Sequence, residues 1–128
     1  FTDVQDTPMT VNWTADANGQ SGFELDRATD EGFTQNFSTT ALGNVTTANV
    51  SGLSQNTTYH FRLRATNASG ASDNSGAGSQ TTLLLPPAAP NVSASAFNSS
   101  RIDLSWAGYS SNADNFDVQQ APSSGGPW

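Results

Sequence analysis

Leu53-Ser-Gln-Asn-Thr-Thr-Tyr59-His-Phe61-Arg-Leu63-Arg-Ala65-Thr-Asn67-Ala-Ser-Gly70 is the stretch that decides the fold. From Tyr59 to Ala65 every second residue is apolar or aromatic, and His60, Arg62, Arg64 and Thr66 fill the positions between. A period of two is the mark of a strand with one dry face and one wet face. Gly52-Leu53 and a polar turn precede the strand, and Asn67 to Gly70 end it.

Working outward, the same alternation recurs on both sides. Met9, Val11 and Trp13 alternate with Thr10, Asn12 and Thr14, after a strand end at Phe1 and a turn at Asp6-Thr-Pro8. In Phe23-Glu-Leu25-Asp-Arg27 the apolar pair points inward, and Glu24 and Asp26 point outward. Phe33 to Ala41 reads as a weak, Thr-rich edge strand. Asn44 to Leu53 reads as another, with Val50 and Leu53 in the core. Gly70 to Gly78 is a small-residue loop before a last strand over Ser79 to Leu83. No window sustains a helical period, and a Ser-, Thr-, Asn- and Gly-rich composition suits strands and turns.

Leu84 to Pro90 carries three prolines, which cannot continue a central strand and favour a semi-rigid connector. The pattern then restarts. Ile102, Leu104 and Trp106 repeat Met9, Val11 and Trp13, and Phe116 and Val118 repeat Phe23 and Leu25, all 93 positions later. One shared offset with matching faces indicates a tandem module.

The two copies resemble bacterial and archaeal fibronectin type III repeats. Trp13 and Trp106 match the family's second-strand tryptophan, Phe23 and Phe116 its third-strand aromatic, and Pro90 the proline before its first strand. Tyr59 to Gly70 matches its Tyr-x-Phe-x-Leu-x-Ala-x-Asn-x-x-Gly run. The resemblance implies an all-β, immunoglobulin-like sandwich of two sheets. One near-complete module is expected over 1–83 with its first strand truncated. A Pro-rich linker follows over 84–89, then the N-terminal part of a second module over 90–128. It also implies that the Tyr59 hydroxyl bonds backbone a few residues upstream, over Leu53. The second copy lacks an opposing sheet for Ile102, Leu104, Trp106, Phe116 and Val118. Burying each such side chain is worth about 1.5–3 kcal/mol. The chain, which starts at Phe1 rather than Met, is therefore expected to be a window of a longer array, or to receive its missing strands from another chain.

Composition excludes several functions. The net charge is −7, all four basic residues are arginines, and there is no Lys. A nucleic-acid binder needs clustered cations, and an anionic bilayer would repel this chain. The absence of Cys removes disulfides and thiolate metal sites. No apolar run approaches the ~20 residues of a membrane span. His60, the one histidine, sits on a wet face with neither nucleophile nor orienting acid beside it, so no catalytic residue is expected. Asp16-Ala-Asn18-Gly19 and Asp73-Asn-Ser75-Gly76 echo calcium loops, but each lacks the bidentate acid that closes one, so no metal is expected. Glu24 and Asp26 are expected to pair with Arg62 and Arg64 across neighbouring strands.

One motif stands above background. Asn-x-Ser/Thr occurs at Asn12, Asn36, Asn44, Asn49, Asn56, Asn67, Asn91 and Asn98, eight of the twelve asparagines. Ser and Thr are 32 of 128 residues, so chance placement gives about three. The excess points to N-glycosylation, the only non-protein group expected; the alternative is that Ser/Thr-rich strands generate the motif by composition. Asn67 has a competing role, because the family uses this position to bond the next turn.

Together these features point to a non-enzymatic, extracellular structural or adhesive repeat protein: a stalk, filament or surface layer. Its partners would be neighbouring modules, identical subunits in a fibre, or surface glycans. Two alternatives stay open. One is an accessory spacer of a secreted polysaccharide hydrolase or peptidase. The other is a receptor or carbohydrate-binding ectodomain, which would need Phe33 or Trp128 on an exposed aromatic platform.

Overall fold

A computed structural model of the chain describes residues 1–15, 19–108 and 113–122. The chain divides into two compact units, Phe1–Leu85 and Pro86–Trp128. All the regular structure described is strand: β1 Met9–Asn12, β2 Gly22–Ala28, β3 Ser38–Gly43, β4 Thr47–Val50, β5 Thr58–Asn67, β6 Gly70–Ala71, β7 Gly78–Thr81, β8 Asn91–Asn98 and β9 Arg101–Ala107.

The first unit is a two-sheet sandwich. One sheet pairs β1 with β4; the other runs β3-β2-β5, with β6 and β7 both pairing β5. All these pairings are antiparallel. Met9, Val11, Leu25, Leu53, Tyr59 and Phe61 form the buried cluster between the sheets, with Trp13, Val50 and Leu63 packed against it. These are the apolar positions of the period-two pattern, so alternation in sequence became the two faces of each sheet. Gly22 is required by close approach: a Cβ there would collide with the Leu42 carbonyl oxygen on β3.

Tyr59 locks the lower corner. Its hydroxyl accepts a hydrogen bond from the Ser54 backbone N–H at 2.9 Å. Thr82, also buried, pins the same corner by accepting from the Thr57 N–H at 3.0 Å and donating to the Ser54 carbonyl at 2.6 Å. The small-residue loop is more ordered than its composition suggests. The Ser72 and Ser75 hydroxyls accept the Ala65 and Leu63 N–H groups, both at 3.0 Å, so serine oxygens extend the ladder along β5.

Several expectations are corrected. Before β1 there is no strand, only a bridge between Thr2 and Thr10. The expected strand from Phe33 begins only at Ser38. Phe33 and Asn36 adopt left-handed φ of 56° and 49°, which breaks any ladder. The Asp30 carboxylate folds the loop by accepting from the Thr34 and Gln35 N–H groups at 2.8 and 2.7 Å.

Among its described residues the second unit contains one antiparallel hairpin, β8-β9, with a bulge between Ala96 and Asn98. Val92, Ala94 and Ala96 lie opposite Trp106, Leu104 and Ile102, and so share a face. Ser93, Ser95, Asp103 and Ser105 take the other face. The Ser93 and Ser105 hydroxyls meet there at 2.7 Å. Phe116 and Val118, expected to repeat the Phe23 and Leu25 strand, lie in none: residues 113–122 carry no ladder. Phe116 nevertheless packs on Trp106, ring centroids 5.8 Å apart. Trp106, placed in the core by its phase, is 41% exposed, because the second unit has no opposing sheet among its described residues.

Candidate functional site

Two surfaces carry the chemistry singled out by the sequence: the acceptor asparagines and the outer face of the larger sheet. All eight acceptor asparagines are exposed. Asn12 and Asn49 lie on the outer face of the β1-β4 sheet, out of phase with buried Met9 and Val11. The Asn12 amide donates to Thr2 Oγ1, and its oxygen accepts from Thr47 Oγ1, both at 3.0 Å. Asn36, Asn44 and Asn56 occupy the connections between strands. Asn98 ends β8, and Asn91 begins it.

Asn67 has the competing role expected of it. Its oxygen accepts from the Ser69 N–H at 2.8 Å, and its amide donates to the Gly19 carbonyl at 3.2 Å. The Asn36 amide donates to Thr29 Oγ1 at 3.0 Å. Among the described residues the Asn44 and Asn98 oxygens accept from Gln20 Nε2 at 3.3 Å and the Ser100 N–H at 2.8 Å, while the Asn49, Asn56 and Asn91 side chains make no protein hydrogen bond and are the least encumbered acceptors.

The second surface arises from register. Glu24 lies opposite Arg64, and Asp26 opposite Arg62, on β2 and β5. Both pairs form, with Arg62 Nε 2.9 Å from Asp26 and Arg64 Nε 2.5 Å from Glu24. The pairing follows the sequence expectation, but the solvation does not. Asp26 is 1% exposed although its phase is outward. Thr39, opposite it on β3, donates to its other oxygen at 2.6 Å. The guanidinium of Arg62 covers it and is covered in turn by the Phe33 ring, 4.2 Å away. Burial by itself would raise the Asp26 pKa. The hydrogen bonds from Thr39 and Arg62 and the charges of Arg62 and Arg64 outweigh burial and hold it below the ordinary carboxylate value. Asp30 is held low as well, first by the Gln35 N–H and also by Thr34.

Sequence reasoning missed the burial of Asp26. Thr39 across the ladder was a legible signal; Phe33 was not, because it comes from a loop. Phe33 is thereby committed as the lid on Arg62. Trp128 and most of the Asp16-Ala-Asn18-Gly19 loop lie outside the described residues. The Asp73 to Gly76 loop spends its Ser75 hydroxyl on the β5 ladder and on the Gly76 carbonyl. Among the described residues no three His, Cys, Asp or Glu gather where a metal ion could sit, and no helix is long and apolar enough to cross a membrane.

Comparison with known proteins places this geometry. The family model described as fibronectin type III domain matches residues 1–81. No curated protein is significantly similar in sequence. Among solved structures, the two-domain fibronectin type III segment of chicken tenascin is similar over 82% of this chain and 57% of its own, with TM-score 0.61 and 17% identity. The sixth such domain of human fibronectin type III domain containing protein 3 is similar over 64% and 77%, with TM-score 0.54 and 26% identity. A redesigned β-sandwich protein is similar over 66% and 89%, with TM-score 0.56 and 23% identity.

Proposed function

The chain belongs to the fibronectin type III domain family, and from that premise we propose that it is part of a glycosylated, extracellular array of such modules, a stalk, filament or surface layer of the prokaryotic type. The family is non-catalytic and serves adhesive, structural or accessory roles. In this reading residues 1–83 are one module, 84–89 the linker and 90–128 the start of the next. Its partners are adjoining modules, identical subunits or surface glycans.

The observation that carries the array reading is the recurrence of one aromatic pair. Trp13 and Phe23 meet with ring centroids 5.7 Å apart in the first unit; Trp106 and Phe116, each 93 positions later, meet at 5.8 Å in the second. The glycan reading is supported by the exposure of all eight acceptors. With only 12% charged residues, a sugar coat would supply surface hydration that ions do not.

Glycopeptide mapping of native material tests the second half directly. Hexose- or hexosamine-bearing peptides are expected at Asn49 and Asn56 first. Bare asparagine at all eight positions would reject it. Negative-stain imaging of the full-length native protein tests the first half: beaded rods are expected, and a single catalytic globule flanked by these modules would reject it.

A further inference from the structure

The acceptor motifs leave one face empty. Outward positions on the larger sheet are Glu24 and Asp26 on β2, Thr39 and Ala41 on β3, His60, Arg62 and Arg64 on β5, and Ser79 and Thr81 on β7. None of these is an acceptor asparagine. Asn67 ends β5 in the opposite phase to Arg64 and is turned to Gly19. The β1-β4 sheet, by contrast, carries Asn12 and Asn49 on its outer face.

The empty face also holds two of the four arginines, in a chain of net charge −7. Its two ion pairs cancel, so the face carries no net charge in a chain whose total is −7. The charges are arranged in rows, with carboxylates along β2 and guanidiniums along β5 at matching heights. A two-fold axis running parallel to the strands, between these rows, lays β2 of one copy over β5 of the other. Glu24 then faces Arg64 of the second copy, and the reverse. Such a pattern is complementary to itself, which an isologous contact requires. Arg, two of which stand on this face, is a residue type that interfaces favour.

We propose that the outer face of the β3-β2-β5-β7 sheet is a contact surface through which two copies of this chain associate side by side. The proposal rests on the glycan reading only where it takes the missing acceptors to mark a face kept clear. Four strands at ~4.8 Å spacing and about six residues at ~3.3 Å give roughly 400 Å² of flat area per copy, the weak end of specific interfaces. Association of single chains is therefore weak, and repeated modules multiply it.

Sedimentation velocity over a concentration series, on the full chain made with and without glycosylation, provides the test. Reversible dimers are expected in both preparations, weakening as salt rises. Native material that is bare at all eight asparagines yet still dimerises would remove the glycan reading and leave this surface standing. Purely monomeric behaviour at millimolar concentration in both preparations would overturn the surface.

Charge reversal addresses the face itself. Glu24→Arg and Arg64→Glu each weaken self-association by tenfold or more, but an equimolar mixture of the two variants dimerises again. An intramolecular role alone would not produce that rescue, and its absence would overturn the proposal. In a glycosylating host, Ser79→Asn creates an Asn-Gln-Thr acceptor on the face and should abolish dimers; adding Thr81→Ala removes the motif and should restore them. Dimers that persist when the introduced acceptor carries its glycan would also overturn it.

Discussion

Trp13 and Trp106 begin from the same sequence context and end in different surroundings. Each sits at the end of an alternating strand, and each meets an aromatic ring ten residues on, at nearly the same distance. Trp13 is half-buried against a core closed by β5. Trp106 lies 41% exposed although the Phe116 ring rests on it, with Val92 and Ile102 still more exposed. The difference teaches that alternation selects which face is apolar, while a second sheet is needed to make that face dry.

Matched truncations across the repeat should give the largest contrast. Met9 is 1% exposed and its equivalent Ile102 is 66% exposed. Met9→Ala should cost about 2–5 kcal/mol in urea unfolding. Ile102→Ala should stay within about 0.5 kcal/mol. Equal costs would break the comparison and mean that Ile102 is covered in solution.

The ion pairs give the next contrast. Arg62→Ala strips the cover from a buried carboxylate and should cost about 1–3 kcal/mol. In the second unit Arg101 and Asp103 pair at 2.7 Å with side chains 59% and 44% exposed. Asp103→Asn should therefore change stability by less than about 0.5 kcal/mol.

Tyr59→Phe leaves the Ser54 N–H without its acceptor and should cost about 1–2 kcal/mol, visible as a lower thermal midpoint of the first unit alone. An unchanged midpoint would mean that the corner bond contributes nothing to stability.

Acid titration sharpens the contrast with the smallest effect. The folded Asp26 pKa lies below its unfolded value, so its stabilisation is present above the unfolded pKa of ~3.9 and is lost as pH falls through the folded pKa. Asp26→Asn should flatten the acid limb of stability below about pH 4 for the first unit. An unchanged acid limb would mean that the carboxylate is not held low.

Much of the sandwich was legible in the residues alone. The strand phases of Met9, Val11, Leu25 and Phe61, the Tyr59 corner, the 93-residue offset and the pairing of Glu24 and Asp26 with Arg64 and Arg62 all follow from local patterns. The acceptor asparagines were legible as a motif, and their exposure follows from sitting in turns or between inward residues. Less legible were the loop from Asp30 to Phe37 and the fate of Asn115 to Gln119. The first is set by a carboxylate accepting backbone N–H groups; the second depends on whether a neighbouring strand is present to bond.

By itself, then, the sequence determined which way each side chain leaves its strand, because that direction depends only on the residue's own position in a two-residue period. Tertiary structure alone decided which outward or inward position is dry. Asp26 points outward and is sealed by Thr39, Arg62 and Phe33, while Trp106 points inward and remains wet. Dryness is a sum over neighbours from distant parts of the chain, and no period in a single strand records that sum.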